Sequence, residues 1–535
     1  MANPPIQLYD TTLRDGTQRE GISYSCQDKI RIAQRLDLFG VHFIEGGWPG
    51  SNPKDIEFFD RAKDMAWTHA AVAAFGSTRR VNVSVEDDAN LNTLLAASTP
   101  VCTVFGKSWG LHVTDVLRTT LDENLRLIEE SVAYLVVHGR RVIYDAEHYF
   151  DGYCHDSVYA LETINAAKRG GAEVCVLCDT NGGNLPWRIE EVTRNTMVAV
   201  EHPLGIHAHN DTGCAVANSL AAVQGGAIHI QGTVNGYGER CGNANLMTIV
   251  PNLELKMDRE CLPKGRLNEL QDVSRYVTQL ANLPFDEHAP YVGRSAFAHK
   301  GGVHVAAMRR NALSYQHIEP EWVGNEARTL VSELSGRGNV LTKAEEHGVH
   351  VASGVDLEVL QHIKLCEAQG YSFESAEASV ALMLERRDPE YLPPFRVIDY
   401  EVKAGMREGS RPYAEATVKV DVHGQTEHAI SEGDGPVAAL DAALRKALGP
   451  YIAHLDDIQL VDYKVRILDG GDGTSAIVRV LIDCRRGLRT WGTVGASGNI
   501  IEASLYALVD GIEYGLLLDS EPARTKPTHL KASTL

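Results

Sequence analysis

Positive charge, paired cysteines and long apolar runs are scarce in this chain. Its 535 residues carry 51 Lys and Arg against 71 Asp and Glu, a formal net charge of −20. A surface this acidic is not expected to bind nucleic acid or an anionic membrane, although a small anionic substrate needs only a local positive site. No uncharged apolar run reaches the roughly 18 residues of a membrane span. The opening Met1-Ala2-Asn3-Pro4-Pro5 lacks a basic segment and an apolar one, so no signal peptide is expected. The ten cysteines are scattered. The C-x-x-C spacing of Cys175 and Cys178 lies in an apolar β-like run, where buried strand thiols are expected before a redox or zinc pair. Such thiol usage fits a reducing cytoplasm. No G-x-G-x-x-G follows an early strand, which counts against a doubly wound nucleotide-binding sheet.

What is present is an ordinary globular composition, 44% apolar and 23% charged, in a chain long enough for two to four domains. Residues 1 to about 260 alternate apolar runs with helix-period stretches. Eight runs read as strands: Ile6–Tyr9, Phe43–Gly46, His69–Phe75, Val101–Phe105, Arg141–Tyr144, Glu173–Cys178, Leu204–Ala208 and Ile228–Thr233. Helical periodicity falls on Cys26–Phe39, Leu121–Val137, Val158–Arg169 and Ala215–Gln224, with Gly40, Gly139, Gly170 and Gly225 as helix-ending glycines. This rhythm predicts a (β/α)8 TIM barrel over residues 1–265, with the doubly wound sheet as the alternative.

Beyond the barrel the rhythm changes. Residues 266–395 read as helical linker subdomains, with helices over Arg266–Leu283, Asp356–Gln369 and Ala376–Arg386 and a Gly- and His-rich loop over 297–304. Residues 396–519 show an internal repeat: strands Ala416–Val422 and Ile477–Cys484 each lead through a turn and a second strand to a helix, Pro436–Leu448 or Ile500–Leu517. The pattern predicts a separate C-terminal α+β module, followed by a disordered tail at 520–535.

The chemistry gathers at the predicted strand ends. His207 and His209 stand two apart on a strand and face the same side. Alone, two satisfied histidines would explain them equally well. Asp15 and Asn243 follow neighbouring strands and supply oxygen, which makes a mixed site for a divalent metal: Mn2+, Mg2+ or Zn2+. Arg14 adds positive charge and a planar fork. Such a site suits a 2-oxo acid, with Arg14 polarising the keto oxygen and Thr180 donating to the carboxylate.

Three separated motifs, Asp10-Thr11-Thr12-Leu13-Arg14-Asp15-Gly16-Thr17-Gln18, His207-Ala208-His209-Asn210-Asp211 and Gly238-Glu239-Arg240-Cys241-Gly242-Asn243, together resemble the signature set of the DRE-TIM metallolyases. More narrowly they resemble the synthases that condense acetyl-CoA with a 2-oxo acid: the isopropylmalate, homocitrate and citramalate synthases. The resemblance implies Asp15, His207, His209 and Asn243 as metal ligands, Arg14 as the keto and enolate stabiliser, and Thr180 as a substrate contact. It further implies Glu147 and His304 as the pair that removes the acetyl-CoA methyl proton. The C-terminal repeat is similar to the LeuA-type allosteric dimer domain of these synthases, which implies a homodimer or higher oligomer and an amino-acid effector. The stretch Gly46-Gly47-Trp48-Pro49-Gly50-Ser51-Asn52-Pro53-Lys54-Asp55 resembles the citramalate branch, whose 2-oxo acid is pyruvate, feeding isoleucine biosynthesis with isoleucine as inhibitor. Trp48 and Tyr144 fit a small-substrate pocket, Tyr144 as a substrate contact, although either ring would also serve as core. The alternatives are an isopropylmalate or homocitrate synthase and, from another class, a metal-dependent barrel hydrolase. The hydrolases usually carry H-x-H after the first strand, whereas here it follows the seventh.

Overall fold

Each apolar run that precedes a polar turn in residues 1–265 becomes a parallel strand. The computed structural model describes residues 4–347, 354–406, 413–468, 476–487 and 489–520. The expected tail at 520–535 thus falls, past Ser520, outside the described residues. Eight strands, β1 (Gln7–Asp10), β2 (Phe43–Gly47), β3 (Ala71–Ser77), β4 (Val101–Lys107), β5 (Arg141–Glu147), β6 (Val174–Asp179), β7 (Leu204–Ala208) and β8 (His229–Gly232), close into one barrel in sequence order. β8 pairs back onto β1, with Gln7 opposite His229 and Asp10 opposite Gly232. This is the expected TIM barrel, not the doubly wound sheet.

The helices form where capping and periodicity agree. Cys26–Phe39 starts at a reciprocal Ser25–Asp28 capping box and ends at Gly40 in the left-handed region, φ 102°. It buries Ile30, Ala33, Leu36 and Phe39 against the barrel. Two glycine assignments shift by one residue. Gly170 ends the Ser157–Gly170 helix and Gly171 takes φ 95°; Gly225 has helical φ, and Gly226 takes φ 109°. In each Gly-Gly pair the second residue makes the turn. The expected helix over Arg266–Leu283 is shorter, a 3-10 turn at Leu267–Glu269 followed by Leu270–Leu280.

The chain divides into two compact units, residues 1–297 with 318–326, and residues 298–317 with 327–535. In the second unit, β9 (Ala298–His299) pairs in parallel with β10 (Arg328–Thr329). The segment read as a loop over 297–304 instead starts a helix, Gly302–Met308, and His304 lies on it. Helices Val355–Ala368 and Glu377–Glu385 follow. The C-terminal part holds two antiparallel sheets, β11 (Arg396–Gly405), β12 (Tyr413–Val422) and β13 (Gln425–Gly433), and β14 (Gln459–Ile467), β15 (Val478–Arg486) and β16 (Arg489–Ser497). Helices Pro436–Leu448 and Ile500–Ser520 complete the two units of the repeat. Sequence periodicity misses β11 and β14. Both are half-exposed edge strands, and each has a register break at the same place, Val397/Asp399 and Leu460/Asp462. The bulge interrupts the alternation that would mark a strand. It also exposes the repeat: Val397-Ile398-Asp399-Tyr400-Glu401-Val402 matches Leu460-Val461-Asp462-Tyr463-Lys464-Val465 in pattern. Among the described residues no helix is long and apolar enough to cross a membrane.

Candidate active site

The barrel lumen is stratified by strand parity, because residues two apart face the same side. Its floor is apolar: Tyr9, Phe43, Ala73, Val101, Ile143, Val174 and Val176 form one buried cluster. Two residues further along the strands the character changes. Glu45 follows Phe43, Asp145 follows Ile143 and Gln231 follows His229, and all three are buried. Tyr9 links the layers. Its hydroxyl donates to Glu45 Oε2 at 2.6 Å and shares a hydrogen bond with Thr103 Oγ1 at 2.7 Å.

The turn after β1 is held by its own side chains. Asp10 accepts from the Thr12 backbone N–H at 2.9 Å and from the Thr12 hydroxyl at 2.8 Å. The Thr12 hydroxyl accepts in turn from Val234 N–H at 2.9 Å, tying the loop to the end of β8. Burial pushes the Asp10 carboxyl up to about 7. Arg14 then reaches into the lumen. Its Nε donates to Glu45 Oε1 at 2.5 Å, its Nη1 pairs with Asp15, and its guanidinium lies 3.7 Å over the Phe75 ring. Burial would raise Asp15, but Arg14, then His207 and His209, hold it below the usual carboxylate range. Burial raises Glu45 against the pull of Arg14, and raises Asp145 further, helped by Glu45.

His207 and His209 stand at the end of β7, and the segment after β8 folds back along them. Asn210 N–H donates to Gly242 O at 2.8 Å and Ala244 N–H to Ala208 O at 2.9 Å. This antiparallel contact sets Asn243 opposite His209. Gly238 makes room for it, since a Cβ there would stand 1.9 Å from Asn243 Oδ1. The two Nε2 atoms of His207 and His209 are 3.3 Å apart, Asn243 Nδ2 lies 3.2 Å from His207 Nε2, and Asp15 Oδ2 lies 3.8 Å from it. Burial lowers both imidazoles, His209 to about 3, so both are neutral at pH 7. Asn243 Oδ1 and His209 Nδ1 are buried without a hydrogen-bond partner among the described residues. By spacing alone, no three His, Cys, Asp or Glu side chains among the described residues form a metal cluster. The donor chemistry nevertheless fits a divalent cation: two neutral imidazoles, an ionised carboxylate and an orphaned amide oxygen, within a layer rich in buried carboxyls.

Around this centre, Glu147 ends β5 in an ion pair with Lys107 and is 24% exposed. The next residue, His148, has φ 54°, and its N–H donates to Thr180 Oγ1 at 2.9 Å. The Thr180 carbonyl accepts from Arg240 Nη2 at 2.7 Å, and Arg240 forks onto Asp211 at 2.8 and 2.9 Å. One wall is aromatic. Phe75 and Phe105 stack at 5.5 Å, and the Trp48 ring meets both edge-on. Trp48 is pinned by its Nε1–H to Asn90 Oδ1 at 2.9 Å.

The first unit therefore brings together Arg14, Asp15, His207, His209 and Asn243, with Glu147 and Thr180 at the same strand ends. Tyr144 does not join them. On β5 it lies between the lumen-facing Ile143 and Asp145, and points the other way, into the layer between strands and helices. A Cβ on Gly106 would stand 2.9 Å from the Tyr144 hydroxyl and 3.1 Å from Ile128 of the Leu121–Val137 helix. Its expected role as a substrate contact is corrected accordingly. His304 belongs to the second unit, where its ring stacks on Tyr315 at 4.2 Å. Cys175 and Cys178 are buried on opposite faces of β6, and all ten cysteines are free. Glu45, Asp145, Gln231 and Phe75 went unassigned in the sequence. Counting alternate residues along each strand would have found them, since each shares a face with a floor residue.

The HMGL-like family matches residues 5–277, the homocitrate synthase post-HMGL domain-like family residues 291–370, and the LeuA allosteric (dimerisation) domain residues 374–516. The chain is 52% identical over 514 residues to an (R)-citramalate synthase of Geobacter sulfurreducens, covering 96% of this chain and 97% of that protein. It is 52% identical over 527 residues to an (R)-citramalate synthase of Synechocystis, covering 96% of each. To a 2-isopropylmalate synthase of Methanocaldococcus jannaschii it is 29% identical over 518 residues, covering 95% of this chain and 94% of that protein. The chain therefore belongs to the HMGL-like family, alongside the (R)-citramalate synthases that match it almost from end to end.

Proposed function

We propose that the protein is an (R)-citramalate synthase, which condenses acetyl-CoA with pyruvate and hydrolyses the thioester to give citramalate and CoA. The observation that carries this reading is the 52% identity over nearly the whole chain to proteins of that activity, against 29% to a 2-isopropylmalate synthase. The chemistry of the site is compatible with it. Asp15, His207, His209 and Asn243 are the residues that would hold a divalent ion. When bound, such an ion supplies Lewis acidity to the keto group of the 2-oxo acid. Arg14, clamped by Glu45 and stacked on Phe75, is the proposed N–H donor to the keto oxygen as it gains charge. Thr180 uses one lone pair on His148 N–H and retains its own hydroxyl proton for the substrate carboxylate. Glu147 and His304 are proposed as the base pair for the weakly acidic methyl proton of acetyl-CoA. The enolate carbon then bonds to the keto carbon, and water cleaves the thioester to release CoA.

The LeuA match supports a homodimer or higher oligomer and regulation through the C-terminal part, with isoleucine as the proposed inhibitor. The free thiols and acidic surface fit the cytoplasm. A free-thiol assay with acetyl-CoA and pyruvate, 2-oxobutyrate, 2-oxoisovalerate or 2-oxoglutarate, with and without EDTA, tests the reading. Pyruvate is expected to be preferred and EDTA to abolish turnover. A preference for 2-oxoisovalerate would move the protein to the isopropylmalate synthases, and turnover insensitive to EDTA would remove the metal. Isoleucine added at saturating pyruvate is expected to inhibit; no response would remove the effector.

A further inference from the structure

A glutamine amide buried in a barrel lumen is costly unless both of its ends are used. Gln231 on β8 is fully buried, and both ends are committed. Its Nε2–H donates to Asp145 Oδ1 at 2.8 Å, across the lumen on β5. Its Oε1 lies 2.8 Å from His207 Nδ1. The orientation of the amide sets the polarity of this chain. An Asp145 oxygen accepting from the amide turns the Gln231 carbonyl toward His207, so the imidazole must present Nδ1–H. The Nε2 lone pair is then directed at His209, Asn243 and Asp15. Asn243 agrees from the other side, because its Nδ2 stands 3.2 Å from the same Nε2, as a donor facing an acceptor would. Among the described residues His209 has no such support, since its Nδ1 is buried with no hydrogen-bond partner there.

We infer that Gln231, anchored by Asp145, is a positioning residue that fixes the tautomer and ring orientation of His207 for metal binding. The inference rests on the metal reading above and deepens it. Hydrogen bonds to the far nitrogen of a ligating histidine set both its orientation and its basicity, and their loss typically weakens metal binding ~10–100-fold. Gln231 reaches no reacting atom; it acts through His207.

The test is metal affinity in the full-length protein, by competition of Zn2+ with a chromogenic chelator and by the electron paramagnetic resonance of free Mn2+. Gln231→Met keeps the volume and removes the acceptor; Gln231→Glu keeps an acceptor for Nδ1–H and meets an Asp145 carboxyl that burial raises, which can donate to it in place of the amide. The expected result is ~10–100-fold weaker binding for Gln231→Met and near wild-type affinity for Gln231→Glu. Equal affinity of Gln231→Met and wild type would overturn the inference, as would equal weakening by both variants, which would make Gln231 a packing residue. Ring-nitrogen NMR of the 15N-histidine-labelled wild type needs no variant: His207 carrying its proton on Nε2 before metal is added would also overturn it. Failure of the wild type to bind either ion would overturn the metal reading itself, a distinct outcome.

Discussion

The floor and the upper layer of the barrel lumen are built by the same strands, two residues apart, and differ in nearly every physical respect. The floor is a packed set of rings and aliphatic chains, Tyr9, Phe43, Ile143 and Val176 among them. The upper layer holds Glu45, Asp145 and Gln231 on the strands and Arg14, Asp15, His207 and Asn243 around them, all buried except Arg14, which is 15% exposed. One layer gains stability by removing apolar surface from water. The other spends stability to keep carboxyls, a guanidinium and imidazoles out of water in fixed positions. A change in the upper layer should therefore alter chemistry with little effect on folding, and a change in the floor should do the reverse.

The largest effect should come from Asp15→Asn. The substitution removes the carboxylate of the proposed metal set, while Arg14 keeps its bond to Glu45. Turnover of acetyl-CoA and pyruvate should fall on the order of 10³-fold or more, about 4 kcal/mol of transition-state stabilisation. The melting temperature of the metal-free protein should move by only a few degrees. On the floor, Phe43→Ala should cost about 3–5 kcal/mol of unfolding free energy, because its ring packs against Tyr9 and His229 at 5.8 and 5.5 Å. The specific activity of the fraction that remains folded should stay close to wild type. Loss of activity without unfolding would break the division between the layers.

His229 sharpens the comparison because it is an ionisable group of the floor. Its ring packs with Tyr9 at 5.4 Å, and burial, then His42 and Arg141, lower it to about 3. It is neutral in the folded protein, whereas the unfolded chain takes up a proton below about 6.5. Its contribution is present above that pH and is lost as pH falls from 6.5 toward 3. His229→Phe should therefore flatten the acid limb of stability relative to wild type, by up to about 1.4 kcal/mol per pH unit. Denaturant melts at pH 7 and pH 5 measure the difference. Parallel pH dependence in the two proteins would show that His229 does not titrate differently on folding.

Between the layers' extremes stands the aromatic wall. Phe105 stacks on Phe75, whose ring also carries the Arg14 guanidinium. Phe105→Leu opens space beside the proposed keto-acid site. The ratio of kcat/KM for 2-oxobutyrate to that for pyruvate should rise about tenfold, since one methylene in an apolar pocket is worth ~1–3 kcal/mol. An unchanged ratio would take this wall out of substrate selection.

The floor was legible in the sequence and the upper layer only partly so, for a physical reason. An apolar run before a polar turn announces a buried strand, and all eight barrel strands were found that way. Residues at or past the strand ends, such as Arg14, Asp15, His207 and His209, are visible because polar groups cluster there in motifs. Glu45, Asp145 and Gln231 lie within or beside the apolar runs, where a lone polar residue reads as a solvated position. Only barrel closure reveals that they face one another; the Gln231–Asp145 bond spans 86 residues. In the second unit, β11 and β14 were hidden because a bulge breaks their alternation.

The smallest expected effect concerns Tyr144, which tests parity itself. A large ring at a strand end, fit for a small-substrate pocket, made it an attractive substrate contact, but on a strand one residue separates the two faces of the sheet. Ile143 belongs to the floor cluster and Asp145 bonds to Gln231 inside the lumen, so Tyr144 must point outward. There its ring occupies the space left open by Gly106, beside Ile128. Tyr144→Phe removes one hydroxyl from that outer layer and nothing from the pocket. The KM for pyruvate should change less than about twofold, and stability by about 1 kcal/mol at most, since the buried hydroxyl has no hydrogen-bond partner among the described residues. A tenfold rise in KM with unchanged stability would return Tyr144 to the pocket. It would also mean that the upper layer extends across the sheet, and the separation of a chemical face from a packing face would fail on β5.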